Sequence, residues 1–347
     1  MEKLGIKILG CGMYLPPKTV TNKDFERIVD TSDEWITKRT GIKKRHVSQG
    51  EYTFSMGLKA AFEALNNAKL GPKDLDLIIF TTVTADFCFP SMSNIVQGRL
   101  GAENAYGIDI ACACAGFVYA LDMAQKYIDS DDGVSNVLII SAENITKTVD
   151  YSDRSTCVLF GDGAGAVVVA KGNNKAYAYL GADGTGCELL YAHSYPSSNF
   201  FAEQEQLQVN SAVFPEGNGR YMYMNGPRVY EFAVGKMVYS LKKACEKAKI
   251  SVNELDVIIP HQANIRIIDT VIKKLGLSKD RVYVNIKDHG NISSACIPVC
   301  LTELFKKGVL KPGLKVCLVG FGAGIIYGAI VFTLWIILFK GGFNVGR

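Results

Sequence analysis

A displaced repeat constrains this chain more than any other feature, because two copies of one pattern must be built by the same local rules. Ala68-Lys69-Leu70 leads into Leu75-Asp76-Leu77-Ile78-Ile79, and 180 positions later Ala248-Lys249-Ile250 leads into Leu255-Asp256-Val257-Ile258-Ile259. At that displacement the helical pattern after Cys114 corresponds to the segment beginning near Ser294. The run Val137 to Ser141 matches Val316 to Gly320 within a residue, and Gly163-Ala164-Gly165 has an echo at Gly322-Ala323-Gly324. Several matches in one order indicate two copies of one α/β unit, taken as residues 1–172 and 173–347. Apolar strands alternating with amphipathic helices imply mostly parallel sheets covered by helices. A duplicated unit sets equivalent strand ends side by side, so a site is expected at their junction.

Along the first copy, the pattern predicts a strand at Ile6 to Leu9 and a Gly/Pro turn at Gly10 to Pro17. Helix starts follow at Thr21 or Asn22 and within Thr31 to Trp35. A helix over Phe54 to Ala68 and a buried strand at Leu75 to Phe80 come next. A Gly-rich turn at Phe160 to Gly165 leads into a strand at Ala166 to Ala170. Between the copies, segment 182–221 is rich in Gly, Ser, Asn and Glu and reads as a long surface insertion. From Val316 to Phe339 no residue is charged, a length that suits a membrane span. Gly320, Gly322, Gly324 and Gly328 interrupt it, and F-G-A-G reads instead as a tight turn between two buried strands. The apolar tail 334–347 has no assigned place, and membrane contact is left open for it.

Composition removes whole classes of function. The net charge of +4 is small, and no basic run or aromatic-basic interleaving offers a path for nucleic acid. The ten cysteines contain no C-x-x-C pair and the four histidines are dispersed, so neither a zinc signature nor another metal site is expected. Unpaired cysteines and an N-terminus without an apolar signal-peptide core point to a reducing cytoplasm.

Three segments carry chemistry. In D-I-A-C-A-C-A-G-F, a strand-like run feeds small residues and then a helix with Phe117, Leu121, Ala124 and Ile128 on one face. Cys114 falls at that strand-to-helix turn, where free N–H groups and the helix dipole favour a thiolate. A buried structural cysteine is the plain alternative. His261, in P-H-Q-A-N, ends an apolar run, where a histidine is either a site residue or a core residue. Asn291, in H-G-N-I-S-S, precedes a helix, and helix capping is its simplest role. The glycines of Gly320 to Gly324 permit close approach of backbone to a bound group.

Taken together these segments resemble β-ketoacyl-acyl-carrier-protein synthase III. Cys114 in A-C-A-G-F, His261 in P-H-Q-A-N and Asn291 in H-G-N-x-S look like that family's Cys-His-Asn set. The likeness extends to T-S-D-E-W-I-x-x-R-T-G-I at Thr31 to Ile42, F-P-S at Phe89 to Ser91, F-G-D-G-A-G-A at Phe160 to Ala166 and G-F-G-A-G at Gly320. It implies the thiolase-like α/β fold, with two duplicated halves in a five-layered α-β-α-β-α arrangement, and a homodimer.

The resemblance also implies a reaction. Cys114 would take the acyl group of an acyl-CoA, because a thiolate attacks thioesters well and the product stays activated. Malonyl-acyl carrier protein would bind next, and His261 and Asn291 would stabilise the enolate formed as CO2 departs. The oxyanion would lie on the backbone N–H groups of Cys114 and Ala323, the latter standing where the family usually has glycine. Trp35 and Arg154 would sandwich the CoA adenine, Arg39 would sit near its phosphates, and Asn264 would hold the pantetheine. Phe321 and the partner subunit's copy of Phe89 would line the acyl pocket. Arg266, Lys273 and Lys274 would form a carrier-protein patch, or else an ordinary solvated face. No cofactor beyond the CoA thioester substrates is implied. The alternatives are a starter condensing enzyme or acyltransferase of polyketide or specialised metabolism, and a non-catalytic scaffold that binds acyl carriers.

Overall fold

The structure, a computed structural model, describes residues 5–130, 133–193 and 221–335. Most of the inserted segment and the tail beyond Trp335 lie outside the described residues. Among the described residues, nine strands of four residues or more form two sheets. The first holds β1 (Gly5–Tyr14), β2 (Leu77–Thr81), β3 (Tyr106–Ile110), β4 (Asn136–Asn144) and β5 (Asp162–Gly172), in the order β1-β5-β4-β2-β3. The second holds β6 (Tyr177–Ala182), β7 (Val257–Pro260), β8 (Lys315–Gly322) and β9 (Ile326–Thr333), in the order β6-β9-β8-β7. Val282 bridges Ile258 in parallel, standing beside β7 as β3 stands beside β2. Both sheets therefore run through one spatial order: first strand, last, fourth, second, third.

Each sheet is mixed rather than mostly parallel. β2 pairs in parallel with β3 and β4, and β7 with β8, but the first and last strands of each half pair antiparallel. A parallel pair needs a long crossover, usually helical. The links from β4 to β5 and from β8 to β9 contain no α-helix, so those strands return antiparallel.

Among the described residues, seven helices of eight residues or more complete the frame: α1 (Asp33–Thr40), α2 (Thr53–Ala68), α3 (Met92–Leu100), α4 (Gly116–Ser130), α5 (Gly226–Ala248), α6 (Ile265–Leu275) and α7 (Cys296–Lys306). Strands apolar on both faces must be covered on both. Leu77, Ile79, Ile259 and Leu318 meet Phe117, Leu121 and Ile128 of α4 and Ile297 and Leu301 of α7 in one core between the sheets. The alternate residues Ile78 and Phe80 pack with Met56, Ala60 and Ala64 of α2. Ile258, Cys317 and Val319 pack with residues of α5 and α6, among them Met237, Leu241 and Ile268. The result is five layers, helix, sheet, helix, sheet, helix.

The repeat holds down to backbone angles. Among the described residues, the non-glycine positive φ values are those of Lys69 (58°), Ala113 (43°), Lys249 (58°) and Ser293 (50°). They form two pairs, each separated by the same 180 positions. The first pair closes α2 and α5 as left-handed C-caps. The second begins the short 3₁₀ turns Ala113–Ala115 and Ser293–Ala295 that launch α4 and α7.

Two glycine-rich stretches read as turns from sequence are strand. β1 continues through Gly10 to Tyr14 because α2 lies directly on it. A Cβ at Gly10 would stand 2.3 Å from the Ala64 carbonyl oxygen, and one at Gly12 would stand 2.2 Å from that of Ala60. β5 likewise starts at Asp162, and a Cβ at Gly165 would meet Pro298 of α7 at 2.8 Å. The described part of the uncharged run, 316–335, folds as two buried strands joined at a Gly-rich turn. Among the described residues no helix is long and apolar enough to cross a membrane.

Candidate active site

The carboxyl ends of β3 and β7 and the starts of α4 and α7 converge on one cavity of about 910 Å³. Cys114, His261, Asn291, Ser293, Phe321 and Ala323 are among its lining residues. Cys114 sits in the 3₁₀ turn between β3 and α4, the strand-to-helix position expected of it. The end of β8 lies against this turn: a Cβ at Gly322 would stand 2.6 Å from the Cys114 backbone nitrogen. The next peptide, that of Ala323, therefore borders the same spot. Burial pushes the Cys114 thiol up to about 12, against the pull of the Ser293 hydroxyl. The helix start is thus opposed by desolvation, and the sulfur rests as a thiol whose Sγ–H donates to Ser293 Oγ at 3.4 Å.

His261 follows β7 directly, and its N–H continues the strand pairing to the Val319 carbonyl at 2.8 Å. Its ring is buried edge-on to Phe321, with centroids 5.6 Å apart. Burial drives the imidazole down to about 3, so it is neutral at working pH. Nδ1 is buried without a partner. With the proton on Nε2, Nδ1 is a bare lone pair and the ring is a neutral donor.

Asn291 is fixed by backbone. Its N–H donates to Leu159 O at 2.9 Å, and its carbonyl accepts from Gly161 N at 3.0 Å. Gly290 reaches this position with φ of 67°, where a Cβ would stand 3.0 Å from Leu159 O. The carboxamide oxygen accepts the Ser293 N–H at 2.9 Å, a cap for the turn that starts α7. Capping therefore leaves one end of the carboxamide available: the oxygen is used, and Nδ2 remains a donor for the cavity. His289, two residues earlier, is held away by Glu303 at 2.8 Å from its Nε2.

This arrangement combines a nucleophile, two neutral donors and backbone N–H groups, the equipment of acyl transfer through a covalent thioester. Residues 108–185 match the family described as 3-Oxoacyl-[acyl-carrier-protein (ACP)] synthase III, and residues 245–334 match its C-terminal region. A β-ketoacyl-[acyl-carrier-protein] synthase III of Clostridium acetobutylicum is 43% identical over 94% of this chain and 98% of its own. The chain belongs to the β-ketoacyl-acyl-carrier-protein synthase III family. Among solved structures, the 3-oxoacyl-[acyl-carrier-protein] synthase III of Aquifex aeolicus has a TM-score of 0.86 at 42% identity, covering 95% of this chain and all of the other. The priming β-ketosynthase from the R1128 polyketide biosynthetic pathway has a TM-score of 0.85 at 35% identity, covering 96% and 97%. The thiolase-like fold and the condensing-enzyme class follow.

Of the residues expected at the CoA end, Trp35, Arg39 and Asn264 line the cavity, and Arg154 stands over Trp35. Ser32 caps α1 by accepting the Trp35 N–H at 3.1 Å, which sets the indole at the first turn. The guanidinium carbons of Arg39 and Arg154 lie 5.6 and 5.2 Å from the Trp35 ring centroid. Arg154 is braced by the Asp30 carbonyl at 2.8 Å. Asn264 lines the cavity and caps α6 through the Arg266 N–H. Arg266 also borders the cavity, whereas Lys273 and Lys274 are exposed in the last turn of α6. Phe89 does not line this chain's own cavity; it is 84% exposed.

Sequence reasoning missed the group beneath Cys114. Glu143, near the end of β4, is wholly buried and accepts from Ser293 Oγ (3.2 Å), Ser294 Oγ (2.7 Å), Thr82 Oγ1 (3.1 Å), Val83 N (3.1 Å) and Thr84 Oγ1 (2.8 Å). The available signal was a charge closing the apolar run N-V-L-I-I-S-A, since sites in such folds lie beyond the carboxyl ends of strands.

Proposed function

We propose that this chain joins an acyl-CoA starter to malonyl-acyl carrier protein by decarboxylative condensation through an acyl-Cys114 thioester, and so begins fatty-acid synthesis. The observation that carries this reading is the meeting of Cys114, His261 and Asn291 in one cavity, with Gly322 pressed against the Cys114 N–H. In the first half-reaction Cys114 Sγ attacks the thioester carbonyl, and the oxyanion rests on the N–H groups of Cys114 and Ala323. CoA leaves past Trp35, Arg39, Arg154 and Asn264. In the second, His261 Nε2 and Asn291 Nδ2 donate to the malonyl thioester carbonyl. Loss of CO2 itself produces the carbanion, so neither residue needs to abstract a proton. The carbanion attacks the acyl carbonyl and expels Cys114.

The other assignments belong to the same reading. Phe321 bounds the acyl pocket beside His261. Arg266 at the mouth, with Lys273 one heptad along α6, offers cations to an acidic carrier protein, joined by Lys274. Among the described residues strand β3 pairs with β2 and forms the edge of its sheet. An edge strand is a template for pairing with another chain, and we assign this one to a homodimer in which Phe89 reaches the partner subunit's acyl pocket. The duplicated halves are 1–172 and 173–347, and the chain works in the cytoplasm.

The likeness to a polyketide priming synthase favours one second reading, the same Cys114 chemistry with a different starter or acceptor. A panel of acyl-CoAs separates the two when Cys114 acylation is followed by intact mass and malonyl-acyl carrier protein is then added. Acetyl-sized or branched starters and a β-ketoacyl-carrier product support fatty-acid initiation. Loading without ketoester formation supports the transferase alternative, and no loading by any starter sinks both.

A further inference from the structure

We propose that Glu143, acting through Ser293, holds the thiol proton of Cys114 while the acyl group is on the sulfur, an inference that rests on the reading just given. The geometry is a single line: Cys114 Sγ, 3.4 Å to Ser293 Oγ, 3.2 Å to Glu143 Oε1. Its direction follows from counting donors. Val83 can only donate its N–H to Glu143. Thr82 Oγ1 already accepts the Thr84 N–H at 3.0 Å, and Thr84 Oγ1 accepts the Asn144 N–H at 2.8 Å, so each threonine turns its own proton to the carboxylate. A carboxyl group ringed by donors is an ionised acceptor. Ser293 has one proton, which goes to Glu143, and its lone pair is what meets the Cys114 S–H.

The surroundings isolate this pair. Among the described residues Glu143 forms no ion pair with Lys, Arg or His. Cys296, which interacts electrostatically with both Cys114 and Glu143, and neutral His261, which lines the same cavity as Cys114, are ionisable groups of the site. Lys147 stops at the Thr84 carbonyl, 3.0 Å away, and at Asp86. Burial pushes both Glu143 and Cys114 up. A free thiolate beside a carboxylate is therefore disfavoured, whereas moving one proton from sulfur to carboxylate leaves the total charge unchanged.

The step balances. As the C–S bond to Cys114 forms, S–H breaks, Ser293 Oγ takes that proton and passes its own to Glu143 Oε1. CoA leaves as its thiolate and is protonated by solvent. When the carbanion takes the acyl group, the Cys114 C–S bond breaks and the proton on Glu143 returns through Ser293 to Sγ. Glu143 touches no reacting atom and is a positioning residue for the proton.

The test is single-turnover acylation of Cys114 by acyl-CoA, followed by intact mass from pH 5.5 to 9.5, in wild type, Ser293→Ala, Glu143→Gln and Glu143→Asp. Ser293→Ala cuts the line and leaves the other four bonds of Glu143 in place. Alanine suits that backbone, since Ala113 occupies the equivalent position with φ of 43°. Loading at pH 7 should fall about 10²-fold or more in Ser293→Ala and Glu143→Gln, the range of an assisted proton transfer. The deficit should shrink as pH rises, and Glu143→Asp should recover part of it. A role for Glu143 as a mere negative charge predicts the opposite sign, since its removal would ease thiolate formation and speed loading. Faster or unchanged loading in both variants, or a deficit that ignores pH, overturns the relay. Wild type that does not load at all would instead overturn the acyl-CoA reading beneath it.

Discussion

Gly322 allows the nucleophile turn to close, because any side chain there meets the Cys114 backbone nitrogen. Gly322→Ala should therefore lower Cys114 loading at least 100-fold by displacing the turn, whereas Ala323→Gly, which keeps the same N–H, should stay within a few-fold of wild type. Acylation rates by intact mass check both. His261 makes a separate claim on pH. Its folded pKa is depressed to about 3 from an ordinary value near 6.5, so the unfolded chain binds the extra proton first as pH falls. Its contribution is complete above pH ~6.5 and is lost towards pH 3, at up to about 1.4 kcal/mol per pH unit. Denaturant melts between pH 7 and 4 should show a shallower acid loss in His261→Ala; equal slopes would refute a buried neutral histidine. The sequence singles out Cys114, His261 and Asn291 because each closes or opens a regular element, and their roles are what the family resemblance implies. Glu143 was not legible there, because its five partners come from segments 82–84 and 293–294, which only the fold brings together.

At the scale of elements, α7 steadies the segment that delivers Asn291. Glu303 accepts from Tyr283 Oη at 2.8 Å and Asn285 Nδ2 at 2.9 Å, and it meets His289 Nε2 at 2.8 Å. Burial alone would raise this carboxyl, but the hydrogen bonds of His289, Asn285 and Tyr283 prevail and hold it at about 2. A depressed carboxylate stabilises above its unfolded pKa, near 4.5, and loses that contribution as pH falls towards 2. Glu303→Gln should cost roughly 1–3 kcal/mol at pH 7, a gap that narrows below pH 4.5 in denaturant melts. Glycine was where the reading of elements failed. Gly10, Gly12 and Gly165 looked like turn residues, yet each is a strand position where a helix approaches within van der Waals contact. Turn chemistry and close packing select the same residue, and sequence alone does not separate them. The 180-residue displacement was readable because it fixes both cap and turn geometry, from Lys69 and Lys249 to Ala113 and Ser293.

At the scale of the molecule, the five layers place two starts of buried helices, α4 and α7, against one another, and the site is the seam between them. Mixed sheets escaped the sequence reading, since strand direction depends on connections whose course apolar periodicity does not record. The edge position of β3 carries the dimer proposal: sedimentation should give twice the 37.8 kDa chain mass, and Phe89→Asp should weaken both association and acyl loading. A fully active monomer would refute it. The division of labour between the halves is tested most directly by loading Cys114 first, in wild type, His261→Ala and Asn291→Ala, and then measuring CO2 released on addition of malonyl-acyl carrier protein. All three proteins should carry the acyl group, and only wild type should release CO2 and ketoester at full rate, the variants falling by about 10²-fold or more. Normal condensation by loaded Asn291→Ala would contradict the enolate assignment and the site built around it.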